Sequence, residues 1–405
     1  MKIRSVTMFA RLSLPPDAST IVALARAGRS IVSAYETAGY EVQTLRLATS
    51  LFPALAALGS EQVAVEAASE LEQACLDAGF DFTSLGPAEP AVQHLIPEIL
   101  ARTETIFATS HLVNPASGTI DGEALRGAAR IILAAAEIAE GFGNLRYAAL
   151  ANVAPGTPFF PAAYWHHDKV AFAVATESAD VALRACIEAP DASAAHAHLE
   201  RLATSHGQRL AAVGDEAARR HPLEFLGIDF SPAPFPNAET SIGGALEVLT
   251  GQPLGAAGTL AAAATLTDAI QHADFPHVGF CGLMMPVLED SVLAQRAAEG
   301  KLRISDLLQW SSVCGTGLDT VPLPGDVSAD ALAAILLDVA TLSVRLAKPL
   351  TARLMPLPGK VAGDPVHFDF AYFADGGVLD LPYDERTRPI GRLSALSLAG
   401  TPRRR

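Results

Sequence analysis

The densest group of chemically capable side chains in the sequence is Trp165-His166-His167-Asp168, just before a predicted strand. His166 or His167 could act as a general acid or base, because the imidazole pKa lies near neutral pH. His167 and Asp168, with a distant carboxylate, could instead bind a divalent metal ion. Adjacent histidines in an extended strand point to opposite faces, so both could bind one metal only in a turn. A surface turn that bonds its own backbone is the structural alternative.

Asp229 is a second candidate for proton transfer. It ends a predicted strand that reads Leu-Gly-Ile-Asp-Phe-Ser over residues 226–231. The carboxyl ends of parallel barrel strands meet at the active site, which favours a functional role. Because a buried carboxylate is costly unless paired, Asp229 is expected to contact either a ligand or a cation such as Arg353.

Cys314 lies in the glycine-flanked segment Ser-Val-Cys-Gly-Thr-Gly-Leu-Asp over residues 312–319. A thiol there could be a nucleophile or could position a substrate. The nearby carboxylate of Asp319 would raise the thiol pKa, so activation would need a base or a helix N-terminus. A buried, small apolar side chain is the common alternative for a free cysteine.

Further polar residues follow predicted strands. Ser110 and His111 could bind a carboxylate or phosphate together with the N-terminus of the next helix. Helix capping and loop closure are the structural alternative for such residues. Asn152 and Arg353 are expected to orient a substrate.

Short β-branched runs alternate with alanine-rich helical patterns along the chain, which predicts a largely parallel sheet wrapped by helices. The number of strands favours a closed barrel. No glycine-rich loop follows the first strand, so the sequence has no dinucleotide, P-loop or flavin motif. The predicted strands cover residues 3–9, 41–47, 105–110, 147–153, 170–176, 226–231, 278–284, 350–355 and 366–370. The predicted helices cover residues 20–38, 61–78, 122–139, 192–220 and 329–346.

Composition narrows the class of protein. Of the 405 residues, 50% are hydrophobic and 18% are charged, which favours one large domain over residues 1–385. A basic tail would follow over residues 386–405. The net charge of −15 argues against a nucleic-acid partner, and no stretch is long and apolar enough to predict a membrane span. Four scattered cysteines favour the cytoplasm.

Three sequence blocks resemble a known family. Residues 224–234 read Glu-Phe-Leu-Gly-Ile-Asp-Phe-Ser-Pro-Ala-Pro, residues 312–322 read Ser-Val-Cys-Gly-Thr-Gly-Leu-Asp-Thr-Val-Pro, and residues 351–356 read Thr-Ala-Arg-Leu-Met-Pro. With Asn152 and the stretch 159–165, they resemble the domain-of-unknown-function family 711, whose members are labelled PFL family proteins. The resemblance covers most of the chain and is strongest over residues 224–356.

The resemblance implies a fold related to pyruvate formate-lyase and anaerobic ribonucleotide reductase. That fold is a ten-stranded β/α barrel of two half-barrels, with the helices outside, and it implies an oligomer. Glycyl-radical enzymes of this fold store the radical on a C-terminal glycine motif. Here the region reads Ala-Asp-Gly-Gly-Val-Leu over residues 374–379, without the flanking residues of that motif. We therefore expect a non-radical reaction, because a shared fold does not bring its chemistry with it.

These observations together predict a cytoplasmic homo-oligomer that acts on a small carboxylate-bearing molecule in a barrel pocket. Acid–base chemistry of the lyase or isomerase type fits the residues best. A divalent metal ion could assist it as a cofactor. The alternative is a non-catalytic oligomer of the same fold that binds or senses a small molecule. The expected roles are proton transfer for Asp229, His166 or His167, lining of the facing wall for Cys314 and Asp319, and substrate orientation for Ser110, His111, Asn152 and Arg353.

Overall fold

The fold is taken from a computed structural model that describes residues 1–383 and 394–400. Its strands are β1 (Lys2–Phe9), β2 (Leu45–Ala48), β3 (Phe82–Ala88), β4 (Ile106–His111), β5 (Ile120–Asp121), β6 (Tyr147–Ala151), β7 (Ala171–Glu177), β8 (Glu224–Asp229), β9 (Gly317–Pro324), β10 (Leu350–Leu357), β11 (Pro365–Val366), β12 (Gly376–Gly377) and β13 (Ala395–Leu396). Its α-helices are α1 (Ala18–Thr37), α2 (Phe52–Ala56), α3 (Glu61–Ala78), α4 (Leu95–Arg102), α5 (Gly122–Ala136), α6 (Ala179–Ile187), α7 (Ala192–Arg220), α8 (Ile242–Thr250), α9 (Thr259–His272), α10 (Ser291–Ala298), α11 (Ile304–Ser311) and α12 (Ala329–Leu346).

One large sheet organises the described part of the chain, in the strand order β8-β7-β1-β2-β3-β4-β6-β10-β9. Strands β1, β2, β3, β4 and β6 are parallel to one another and form the first group. Strands β7 and β8 are parallel to each other but antiparallel to β1. Strands β10 and β9 are likewise parallel to each other but antiparallel to β6. The sheet therefore consists of parallel groups that run in opposite directions, and the prediction of an α/β fold with a mostly parallel sheet is confirmed.

One segment, residues 277–287, contacts both edge strands of this sheet. His277 forms a parallel bridge with Ile228 of β8, and Pro286 forms one with Asp319 of β9. The residues between these bridges form no regular strand, and Gly279 and Cys281 have positive φ. The strand predicted over residues 278–284 is therefore wrong, because the segment bridges β8 and β9 only at its two ends.

The helices form where capping residues precede apolar faces. Asp121 accepts backbone N–H groups at the start of α5, and Ser328 accepts one at the start of α12. Such caps satisfy amide groups that the helix itself leaves unpaired. Both helices bury an apolar face, and they pack against each other outside the sheet. None of the helices in the described part of the chain combines the length and apolar character needed to cross a membrane.

The other face of the sheet is covered by the loop after β6, residues 152–169. Thr7 of β1 donates to the carbonyl of Pro158 at 2.9 Å, and Ser84 of β3 donates to the carbonyl of Ala163 at 2.7 Å. Every residue of β6, β7 and β10 is buried. Strands covered on both faces carry long apolar runs, which is why these three were predictable from composition.

Sequence analysis missed two strands and overestimated the length of a third. Strands β3 and β9 were not predicted, because glycine and proline interrupt their sequences Phe-Thr-Ser-Leu-Gly-Pro-Ala and Gly-Leu-Asp-Thr-Val-Pro-Leu-Pro. The strand predicted over residues 366–370 shrinks to the two residues of β11, which pair with β12.

The basic tail was predicted over residues 386–405. Its arginines at positions 386, 388, 392 and 403–405 lie outside the described residues. In the described part, Ala395 and Leu396 pair with Asp121 and Ile120 of β5. Leu396 and Leu398 are partly buried against the core.

Candidate functional site

A cavity of about 180 Å³ lies near the N-terminal ends of the first strand group. This volume holds about six water molecules at ~30 Å³ each, so it suits a small metabolite rather than a dinucleotide. Its apolar lining includes Phe82, Phe107, Phe159, Phe160, Phe280 and Met284. Its polar lining includes Arg4, Gln43, Arg46, Glu289, Asp319 and Arg353.

Alternating charges line one side of the cavity as a continuous network. Arg353 donates from Nε to Asp319 Oδ1 at 2.5 Å and from Nη2 to Glu289 Oε1 at 2.7 Å. Arg4 donates from Nη2 to Glu289 Oε2 at 2.7 Å and from Nη1 to Glu177 Oε2 at 2.8 Å. The second oxygen of Asp319 accepts no hydrogen bond from the residues that the structure describes, so it is available to a ligand.

Burial shapes the proton affinity of this network. Burial raises the pKa of Glu289, although Arg353 and Arg4 oppose the rise. Burial lowers the pKa of Arg353, but the attraction of Asp319 and Glu289 outweighs it and leaves the pKa above its usual value. Keeping Glu289 charged is therefore costly.

The position of Glu289 is fixed by its neighbour Asp290. The buried carboxylate of Asp290 accepts the backbone N–H groups of Ile242 and Gly243 at the start of α8. It also accepts those of Val292 and Leu293 at the start of α10. One aspartate therefore caps two helices and holds the preceding residue at the cavity wall.

Arg46 of β2 lines the cavity without a carboxylate partner among the described residues. It is 8% exposed, and its Nε donates to Thr44 Oγ1 at 2.8 Å. The four N–H groups of its terminal nitrogens donate to none of the described residues. Its Cζ lies 5.6 Å and 5.2 Å from the ring centroids of Phe82 and Phe160. Burial lowers the pKa of Arg46 to about 9, so it stays protonated at neutral pH.

The contacts of Arg46 do not offset its burial. A cation–π contact contributes about 0.5–2 kcal/mol. An unpaired buried ion costs several kcal/mol. Arg46 therefore leaves an uncompensated positive charge at the cavity wall.

Asp229 lies at the same end of the sheet as the cavity but does not line it. Its carboxylate is fully buried and accepts hydrogen bonds from Phe280 N at 2.8 Å, Cys281 N at 2.9 Å and Ser231 Oγ at 2.6 Å. Burial raises its pKa to about 6, against the opposing effect of these bonds. A structural role for Asp229 was expected to pair it with a cation. Backbone N–H groups of the segment 277–287 bind its carboxylate instead. Asp229 thus positions Phe280, which does line the cavity.

Most of the other predicted site residues lie at the opposite end of the sheet. His111 ends β4, and burial lowers its pKa to about 4. Ser110 Oγ is hydrogen-bonded to Tyr147 OH at 2.6 Å, and Asn152 donates to Ser343 Oγ at 2.8 Å. The exposed residues His166, His167 and Asp168 lie in the loop after β6, at that same end of the sheet.

The antiparallel strand groups explain this separation. Carboxyl ends of the first group, which carry Ser110 and His111, point away from the cavity. Asp319 and Arg353 come from β9 and β10, which run the other way. Of the predicted site residues, the structure brings Asp319 and Arg353 together at the cavity, with Asp229 behind its wall.

Cys314 is fully buried in the main core and does not line the cavity. Its carbonyl accepts a hydrogen bond from Lys348. His166 and His167 have ring centroids 4.4 Å apart, and Asp168 pairs with Arg11. Within the described ranges, no three His, Cys, Asp or Glu side chains are grouped to bind a metal ion.

Sequence reasoning missed Arg4, Arg46 and Glu289. A signal for two of them was present, because Arg4 and Arg46 interrupt apolar strand runs, Ile-Arg-Ser-Val and Leu-Arg-Leu-Ala. A charged residue inside such a run is rarely buried without a reason. Glu289 precedes a helix start and resembles an ordinary capping residue, so its sequence context offers no such signal.

Comparison with known sequences identifies the family. The family described as Uncharacterised ACR (DUF711) matches residues 1–371. A UPF0210 protein of Pyrobaculum arsenaticum is 33% identical over 346 residues, which cover 80% of this chain and 76% of that protein. A UPF0210 protein of Syntrophobacter fumaroxidans is 30% identical over 363 residues, which cover 82% of this chain and 77% of that protein. The predicted family is confirmed, and the chain belongs to the DUF711 family.

Proposed function

We propose that the protein is a non-radical enzyme that acts on a small carboxylate-bearing molecule held in the cavity beside Arg353. The reaction is acid–base chemistry of the lyase or isomerase type. The observation that carries this proposal is the buried ion network, which ends in a carboxylate with one oxygen unused by the described part of the protein. Buried charges of this kind are costly to maintain, and they cluster at functional sites.

Asp319 is the proposed general base. Arg353 holds one of its oxygens, which fixes the direction of the other. Glu289 and Arg4 act as positioning residues, because Glu289 ties Arg4 to Arg353. The assignment moves proton transfer from His166, His167 and Asp229 to residues that line the cavity.

We propose that the sheet closes into a barrel. Five strands of the first group, the four of the other groups and the segment 277–287 make ten positions around a ring. The bridges of this segment to β8 and β9 support closure. A ten-position ring with two opposed halves is the arrangement expected from a relation to pyruvate formate-lyase. A cytoplasmic homo-oligomer remains part of the proposal.

Proton abstraction can be tested without knowing the natural substrate. Three- to six-carbon mono- and dicarboxylates would be incubated with the purified protein in D₂O, and deuterium incorporation next to the carboxylate would be followed by NMR. We expect incorporation with the wild type and its loss, by about 100-fold or more, in Asp319→Asn. Adding EDTA in parallel tests whether a divalent metal assists the reaction.

A double variant, His166→Ala with His167→Ala, is the matched control and should retain wild-type exchange. Thermal midpoints of all variants show whether each is folded. Full exchange in Asp319→Asn would overturn the proposed base. Binding of a carboxylate by the wild type with no exchange anywhere in the series would favour the alternative, a non-catalytic binding or regulatory oligomer.

A further inference from the structure

We infer that Arg46 binds the carboxylate of the ligand, and that this ligand is a monocarboxylate with an apolar body. The inference rests on the proposed function only in taking the cavity as the ligand site. It assigns a binding residue and a substrate class, and neither follows from the ion network at Asp319.

The unused donors of Arg46 make it the anion-binding group. Its two terminal nitrogens face no acceptor among the described residues, although the side chain is 8% exposed. A guanidinium group presents paired N–H donors that match the two oxygens of a carboxylate. Arg4 and Arg353, by contrast, are both engaged by carboxylates of the protein.

The surroundings of Arg46 select the rest of the ligand. Phe82 and Phe107 meet edge to face with ring centroids 5.4 Å apart, and Phe107 and Phe160 do so at 5.3 Å. These rings form an apolar wall next to the guanidinium group, so a chain or ring attached to the carboxylate would lie against carbon. A second polar head group against these rings would lose its hydration without gaining a partner.

The charges of the lining suit a single negative charge. Among the arginines of the lining, Arg4 and Arg353 are paired with Glu177, Glu289 and Asp319, whereas Arg46 has no carboxylate partner among the described residues. Glu177, behind Arg4, shares that arginine with Glu289 and receives Gln43 Nε2 at 2.8 Å. One monoanion at Arg46 would therefore leave the cavity without an unpaired cation, whereas a dianion would add an excess charge.

The opposite wall offers places for the other end of the ligand. Four strands separate β2, which carries Arg46, from β9, which carries Asp319. Thr316 Oγ1, just before β9, is buried with no hydrogen-bond partner among the described residues. A ligand anchored at Arg46 would thus extend toward Thr316 and the free oxygen of Asp319.

The test uses benzoate as a monocarboxylate probe and benzamide as its neutral counterpart of the same shape. We expect benzoate, but not benzamide, to bind the wild type by calorimetry and to raise its thermal midpoint. Arg46→Met should weaken benzoate binding about 30-fold or more, the loss typical of removing one partner of a buried charge pair. Arg46→Lys should fall between the two, because it keeps the charge but not the paired donors.

A control variant shows whether a loss of benzoate binding is specific to Arg46. Arg11→Met removes an exposed arginine and should leave benzoate binding unchanged. Arg46→Met should lose benzoate binding whether or not the wild type shows deuterium exchange, so failure of the proposed base is distinguishable from failure at Arg46. Without benzoate, the thermal midpoint of Arg46→Met should equal or exceed that of the wild type.

Four results would overturn the inference. They are no benzoate binding by the wild type, equal binding by Arg46→Met, tighter binding of phenyl phosphate than of benzoate, or a lower ligand-free midpoint in Arg46→Met. The last result would show that Arg46 stabilises the fold through its contacts with the aromatic rings.

Discussion

Replacing Asp229 with asparagine tests how the protein holds the segment that lines the cavity. The carboxylate is fully buried, no cation of the described residues pairs with it, and it accepts three hydrogen bonds from Phe280, Cys281 and Ser231. Asparagine keeps the shape of the side chain and removes the ionisable group. The variant therefore isolates the free energy of keeping a charge at this position.

The size and sign of the effect follow from the pKa values. Burial raises the pKa of Asp229 from 3.8 to about 6, so the folded state holds its proton more tightly than the unfolded state. A raised acid pKa contributes stability that is fully present below pH 3.8 and is lost as the pH rises through 6. At about 1.4 kcal/mol per pH unit, the full loss is about 3 kcal/mol. About 0.5 kcal/mol of this stability is already lost at pH 4, so about 2.5 kcal/mol is lost between pH 4 and pH 7.

Urea unfolding at half-unit steps from pH 4 to pH 7 measures this difference. We expect the free energy of unfolding of the wild type, relative to Asp229→Asn, to fall by about 2.5 kcal/mol over this range. Asp326→Asn removes an exposed carboxylate and controls for the change in net charge. A constant difference between wild type and Asp229→Asn at every pH would refute the reasoning, since it would mean that burial does not raise the pKa of Asp229.

Two further predictions concern the stability of the fold. Gly279→Ala should lower the free energy of unfolding by about 2 kcal/mol or more, because φ is +74° and a Cβ would lie 2.1 Å from Asp229 Oδ2. Gly359→Ala, with φ +75° and open space around it, is the control and should cost only about 1 kcal/mol; equal losses in urea unfolding would exclude the contact as the cause. Deleting residues 394–405 should cost about 2 kcal/mol, because Leu396 and Leu398 pack on the core and β13 pairs with β5. An unchanged thermal midpoint after this deletion would contradict that estimate.

Secondary structure was predictable where local pattern and environment agree. The helix predicted over residues 329–346 matches α12, since Ser328 caps it and its apolar residues lie on one buried face. Strand β7 was predictable because all of its residues are buried, which gives an unbroken apolar run. Strands β3 and β9 could not be predicted, because they contain glycines and prolines. Pairing with neighbouring strands accommodates these residues, and the local sequence does not reveal that pairing.

The candidate site was predictable only in part. Asp319 and Arg353 were chosen from sequence, and they meet at 2.5 Å at the cavity wall. Glu289, the second partner of Arg353, was not chosen, and neither was Arg46, which has no carboxylate partner among the described residues. Both charges matter because they are buried, and burial is not visible in the local sequence. The histidine cluster at 166–167 attracted attention for its composition, but its side chains are exposed at the far end of the sheet.

The sequence by itself determined the family, the α/β class and the absence of a nucleotide-binding loop after the first strand. Each of these depends on local residue order, which the chain carries directly. Tertiary structure alone decided which residues share a site. Strands β7 and β10 pair antiparallel with β1 and β6, so the carboxyl ends of the strand groups lie at opposite ends of the sheet. Hydrophobic alternation is the same for either strand direction, and therefore no local pattern could have predicted that separation.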